Sequence, residues 1–131
     1  DRVVAEICAA QDEDGYLNTH FSVDKRHLRW TNLKDWHEIY CAGHLMQAAV
    51  AHRRVTGHDG LLQVALRLAE HLWRRFGPQG LPGACGHQEA EMALVELYRE
   101  TGDRRWLELA RLMIERRGAV PPVISGSPYH Q

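Results

Sequence analysis

The sequence is 131 residues long, enough for one domain that buries about two-thirds of its unfolded surface. Apolar residues make up 44% and charged residues 25%, with a formal net charge of −1, so no global field recruits nucleic acid or an anionic membrane. No run of about 18 apolar residues is present to span a bilayer as a helix.

Residues 2 to 10 carry Val3, Val4, Ile7 and Cys8, an apolar stripe that suits the tail of a helix. Gln11-Asp12-Glu13-Asp14-Gly15 then stops it with acidic turn residues and a glycine. Residues 16 to 33 hold no period for long and read as a long ordered loop, a feature often tied to function. From about 34 to 55, Trp36, Ile39, Tyr40, Ala42, Leu45, Met46, Ala49 and Val50 leave almost no polar face before Arg53, which predicts a helix buried on most sides. Thr56-Gly57 ends it with a glycine in the cap position. After Asp59-Gly60, Leu61, Ala65, Leu68, Leu72 and Phe76 form one stripe opposite Arg67, Glu70 and Arg74, as expected of an amphipathic helix facing water.

Two prolines and four glycines make residues 77 to 86 a loop. A fourth helix follows from about 88 to 100, broken by Thr101-Gly102-Asp103, and a fifth from about 104 to 117, capped by Gly118. Residues 119 to 131 read as an irregular tail. No segment alternates convincingly, so the fold class is all-α. Thr56-Gly57 with Leu62, Ala65 and Leu68 recurs 45 residues later as Thr101-Gly102 with Leu107, Ala110 and Met113. A period of that length is the signature of stacked helical hairpins, and buried helices alternating with amphipathic ones describe an inner and an outer layer. An open α-solenoid and a closed α/α toroid both satisfy the pattern.

Each two-helix period returns the chain to the same end of the stack. His37-Glu38 and His87-Gln88-Glu89, with the histidines 50 residues apart, therefore fall at one mouth, at the starts of the two inner helices. Imidazoles and carboxylates there are donors and acceptors suited to hydroxyl-rich ligands, although first-turn acids also serve simply as caps. His37, Cys41 and His44 share a helical stripe and are competent zinc ligands, but three ligands on one straight helix diverge. The preferred reading is a small buried cysteine beside hydrogen-bonded histidines, with no metal. Asp12-Glu13-Asp14-Gly15 lacks the later ligands of a calcium loop and reads as an acidic turn. Trp30, Trp36, Tyr16 and Tyr40 are able to stack on sugar rings, though Trp36 and Tyr40 at helical spacing suit a core. Cys8, Cys41 and Cys85 describe neither a disulfide framework nor paired metal knuckles.

Four stretches, in order and spacing, resemble glycoside hydrolase family 127, the β-L-arabinofuranosidase family. They are Gln11-Asp12-Glu13-Asp14-Gly15-Tyr16-Leu17-Asn18-Thr19, His37-Glu38-Ile39-Tyr40-Cys41-Ala42-Gly43-His44-Leu45, Gly86-His87-Gln88-Glu89-Ala90-Glu91-Met92-Ala93-Leu94, and Tyr98-Arg99-Glu100-Thr101-Gly102-Asp103. The resemblance implies part of an (α/α)6 barrel whose inner-helix loops form a pocket for a terminal arabinofuranose. It also implies retaining hydrolysis by a glutamate acid/base and a zinc-bound cysteine nucleophile, carried by motifs downstream of this stretch. None of Cys8, Cys41 and Cys85 matches those positions, so this chain is expected to supply no catalytic group and to bind no zinc itself. His37 and His87 resemble the family's substrate-binding histidines.

The expectation is thus an internal or N-terminal-half portion of a carbohydrate-acting enzyme, a single partial domain over 1–131, inactive alone and with an uncovered apolar flank. Neither nucleic acid nor membrane is expected as a partner. The chain reads as soluble, cytoplasmic rather than secreted. The competing readings are a non-catalytic α-solenoid interaction module and a related α/α-barrel sugar epimerase using histidine bases.

Overall fold

The computed structural model describes residues 2–117 and 119. Five α-helices run through them: α1 (Arg2–Ala10), α2 (Glu38–Thr56), α3 (Gly60–Phe76), α4 (Ala90–Thr101) and α5 (Arg104–Arg116), with a single 3-10 turn over Arg26–Leu28. No strand occurs among the described residues, and none of their helices is long and apolar enough to cross a membrane.

The helices form two layers. α2 and α4 lie side by side; α3 packs on α2 and α5 on α4, while α1, α3 and α5 follow one another along the opposite layer. This is the stacked-hairpin arrangement of an α/α-barrel arc, with α2 and α4 inner and the odd-numbered helices outer. Ile39, Met46 and Val50 of α2 meet Leu68 and Leu72 of α3, Leu94 and Leu97 of α4, and Trp106, Leu109 and Met113 of α5 in one buried core. Each such side chain contributes about 1.5–3 kcal/mol on removal from water. α1 contributes no fully buried residue and rests on α3 through Val4 and Ile7, as an outer helix at the edge of an arc would.

The 45-residue repeat is realised atom for atom at the two inner-helix ends. Gly57 and Gly102 both sit at φ 74, ψ 0, and their N–H groups close onto the carbonyls of Arg53 and Tyr98 at 2.9 and 2.7 Å. The preceding threonines repeat as well. The Thr56 hydroxyl donates to His52 O at 2.8 Å and accepts from His58 N at 3.1 Å; Thr101 donates to Leu97 O at 2.7 Å and accepts from Asp103 N at 3.2 Å. One C-cap device thus turns each inner helix into its outer partner.

Several boundaries move. α2 begins at Glu38, four residues later than the apolar pattern suggests, because His37 adopts a left-handed conformation (φ 58) in which a helix does not continue. α4 begins at Ala90, and α5 ends at Arg116 with Arg117 as its cap. The expected cap Gly118 and, apart from Ala119, the expected irregular tail lie outside the described residues. Trp36, placed in the buried helix by its spacing, stands before α2, is 37% exposed and packs on the ring of Phe21. Cys41, expected to be buried, is exposed because it lies on the side of α2 turned away from α3 and α4.

Candidate functional site

The N-terminal ends of α2 and α4 share a mouth with the two connecting segments, 11–37 and 77–89. The acidic turn anchors the first segment. Asp12 N donates to Tyr16 O and Gly15 N to Asp12 O, both at 2.9 Å. Buried Gln11 donates through Nε2 to Gly15 O at 2.8 Å and Val64 O at 2.9 Å. The polar face of α3 reaches up to the same turn: Arg67 donates to Asp12 O at 3.0 Å and Arg74 to Asp14 O at 2.6 Å. This face looks merely solvated in the sequence, yet it holds the loop.

Glu38 then ties the loop to the inner layer. It is 3% exposed, accepting the Tyr16 hydroxyl on Oε1 at 2.6 Å and the Trp30 N–H on Oε2 at 2.8 Å. Burial pushes the Glu38 carboxyl above its ordinary range, opposed by these two donors and by Arg29. Burial and the adjoining Glu38 carboxyl raise the Tyr16 phenol in turn. Arg29 lies over the Tyr16 ring, 3.7 Å from its centroid, and pairs with Asp12 at 2.6 Å. The indole N–H of Trp30 donates to His71 Nε2 at 3.3 Å, and burial lowers the His71 pKa. Trp30 and His37 are the two non-glycine residues with positive φ among those described. Each such conformation costs roughly 1–3 kcal/mol and persists where surrounding contacts over-determine it. The Glu38 carboxylate holds the first of them through the Trp30 amide.

The second connection is fixed differently. Buried Cys85 accepts the His87 N–H on Sγ at 3.4 Å, at the entry to α4. Burial pushes its thiol up, against the donated His87 N–H. Arg117, at the end of α5, donates to His87 O at 2.9 Å and to Glu91 at 2.7 Å; the ion pair is almost completely enclosed.

These supports converge on a cluster of rings. His37 Nε2 and His87 Nε2 lie 3.0 Å apart, with the imidazoles stacked at 4.9 Å and 22°. Tyr40 packs on both, its ring centroid 5.7 Å from His37 and 5.1 Å from His87, and meets His44 edge-on at 4.4 Å. His44 Nδ1 is 3.3 Å from Glu89 Oε1, within ion-pair reach but outside hydrogen-bond geometry. Glu89 reaches this position because Gly43 has no side chain. A Cβ at 43 would stand 2.9 Å from Ala90 Cα and 3.0 Å from Glu89 Cγ.

The two histidines singled out by their spacing therefore meet, as in-phase stacking of the hairpins requires. The carboxylates considered with them play other parts. Glu38 serves the loop and Glu89 faces His44; neither side chain caps its helix. His37, Cys41 and His44 do not gather around a common point, and no three histidine, cysteine, aspartate or glutamate side chains among the described residues are placed to hold a metal ion. The zinc implied by the resemblance is expected on downstream motifs, and the histidines and cysteine of this mouth do not form a site for it. Tyr16 is buried beneath the loop, so of the four aromatic side chains considered for sugar stacking, Tyr40 is the one set among the histidines. The His44–Glu89 contact and the clamp by Arg117 are new; Gly43 beside His44 was the available signal for the first.

The model of the β-L-arabinofuranosidase, GH127 catalytic domain matches residues 1–129. The chain belongs to this family. It is 41% identical over 127 residues to the non-reducing end β-L-arabinofuranosidase of Bifidobacterium longum subsp. longum, spanning 92% of this chain and 19% of that protein. Among solved structures, a GH127 β-L-arabinofuranosidase from Geobacillus stearothermophilus T6 superposes with a TM-score of 0.90 at 42% identity, covering 94% of this chain and 20% of the other. A second GH127 β-arabinofuranosidase superposes at 0.82 with 37% identity, over 90% and 20% of the two chains. The GH127 chain thus spans about a fifth of the length of these relatives. These relatives are arabinofuranosidases, and the family match covers nearly the whole of this chain.

Proposed function

We propose that this GH127 chain forms part of the sugar-binding pocket of a hydrolase acting on terminal β-L-arabinofuranosides, with His37 and His87 as the substrate-contacting residues. The observation that carries the reading is the 3.0 Å approach of the two imidazoles at the shared mouth of the inner helices. In such a pair one ring N–H donates to the lone pair of the other ring, and a sugar hydroxyl has the same dual capacity. A vicinal diol replaces the single N–H···N bond by two bonds, one to each ring, after a small rotation of either side chain. Tyr40 supplies the apolar wall that such a sugar needs beside its hydroxyls. The catalytic glutamate, the nucleophilic cysteine and the zinc belong, on this reading, to sequence beyond this chain.

The test is a titration of the 15N-labelled chain with methyl β-L-arabinofuranoside, followed through the histidine ring nitrogens. The His37 and His87 signals are expected to move together along one saturation curve. Stationary signals for both would overturn the assignment. The purified chain is also expected to release no nitrophenol from 4-nitrophenyl β-L-arabinofuranoside, because on this reading the catalytic groups lie outside it.

A further inference from the structure

Beneath the His37–His87 pair lies a second polar contact. Glu89 is 9% exposed; its Oε1 is shielded from solvent and makes no hydrogen bond, although stranding a buried carboxylate oxygen is costly. The imidazole within reach is that of His44, whose Nδ1 stands 3.3 Å away and whose side chain remains 52% exposed. A conventional core would exclude such a carboxylate or pair it fully. Here the backbone is shaped to admit it, since Gly43 provides the space into which Glu89 Cγ fits.

The position of His44 along α2 gives the contact a direction. The mouth lies at the N-terminal end of α2, so a residue one turn after Tyr40 is about 6 Å further from it along the helix axis. Tyr40 links the two levels, touching His37 and His87 with its ring and His44 across its edge. Glu89 Oε1 is the acceptor facing Nδ1, and a proton drawn to that nitrogen leaves Nε2 as the hydrogen-bond acceptor. We propose that His44, oriented by Glu89, is a third substrate-contacting imidazole at the floor of this mouth, accepting a hydroxyl of the bound sugar distal to the His37–His87 pair. Glu89 is then a positioning residue that acts through His44. The inference rests on the sugar-binding reading above and adds a specificity element to it: a ligand lacking the distal hydroxyl leaves the His44 acceptor unmatched.

The same labelled chain tests it, with methyl β-L-arabinofuranoside as the probe. Before sugar is added, His44 is expected to show a protonated Nδ1 and an unprotonated Nε2. On titration the Nε2 signal moves with the saturation curve of His37 and His87. His44→Phe keeps a ring against Tyr40 but removes the acceptor, and weakens binding about tenfold while His37 and His87 still respond. Glu89→Gln redistributes the His44 proton between the two nitrogens and weakens binding in the same direction, a readout that a purely structural role would leave unchanged. If His37 and His87 saturate while His44 stays still and His44→Phe binds like the parent, the inference fails and the sugar-binding reading stands. If no histidine responds, both fail.

Discussion

Glu38 looks like a first-turn acid placed to favour a helix N-terminus, and its sequence neighbours encourage that reading. The structure gives it another task. Tyr16 and Trp30, 22 and 8 residues away, each donate to one of its oxygens, so a side chain enclosed by protein holds the long loop against α2. Such long-range partners leave no periodic trace, whereas the approach of His37 to His87 follows from hairpin phase and was readable. Tyr16→Phe isolates the effect. Tyr16 is 1% exposed, and the phenylalanine fills nearly the same volume while stranding a buried carboxylate oxygen. The expected cost is about 1–3 kcal/mol in chemical denaturation. The loop also loses one of its two ties to Glu38, so the Trp30 amide hydrogen should exchange faster than in the parent chain. A variant as stable as the parent would show that the Tyr16 hydroxyl contributes nothing to the clasp.

At the scale of elements, the ends of helices were more legible at their C-termini than at their N-termini. Thr-Gly pairs announce the αL caps of α2 and α4 because glycine alone enters that conformation without strain, and both caps form as the repeat requires. α2 and α4 start later than their sequence patterns suggest, because those patterns run on through residues that precede the helices. Two glycines separate these influences. Gly102 has open space around a would-be Cβ but a φ of 74, so Gly102→Ala should cost about 1–2 kcal/mol through backbone strain alone. Gly43 is helical and has no such strain, but its Cβ would press on Ala90 and Glu89, forcing α2 and α4 apart. Gly43→Ala is expected to cost about 1–3 kcal/mol by overpacking. It should also shift the His44, His87 and Tyr40 ring resonances, which Gly102→Ala should leave in place. Melting curves and ring spectra of the two variants distinguish strain at a remote cap from displacement of the mouth.

For the whole molecule, the alternation of buried and amphipathic helices foretold the double layer, and the same alternation explains what the layers leave uncovered. Among the described residues, the hairpin of α4 and α5 keeps an exposed apolar side. On α4 and α5 that side carries Met92, Leu107 and Ile114, which are 55%, 38% and 58% exposed, around half-buried Val95. Cavities of about 500 and 460 Å³ open there, both lined in part by Val95 and Ile114. Arg111 crosses the first of them but is engaged by Glu108 and Glu115, each at 2.6 Å, so its charge is already matched within α5. Apolar surface gathered in this way favours association. The chain on its own is therefore expected to sediment as a concentration-dependent mixture in which a second copy covers this flank. Ile114→Lys places a charge at the centre of the groove at a position already in contact with water, so it should restore a monomer with little change in unfolding midpoint. A parent chain that stays monomeric at millimolar concentration would show that the flank does not drive association.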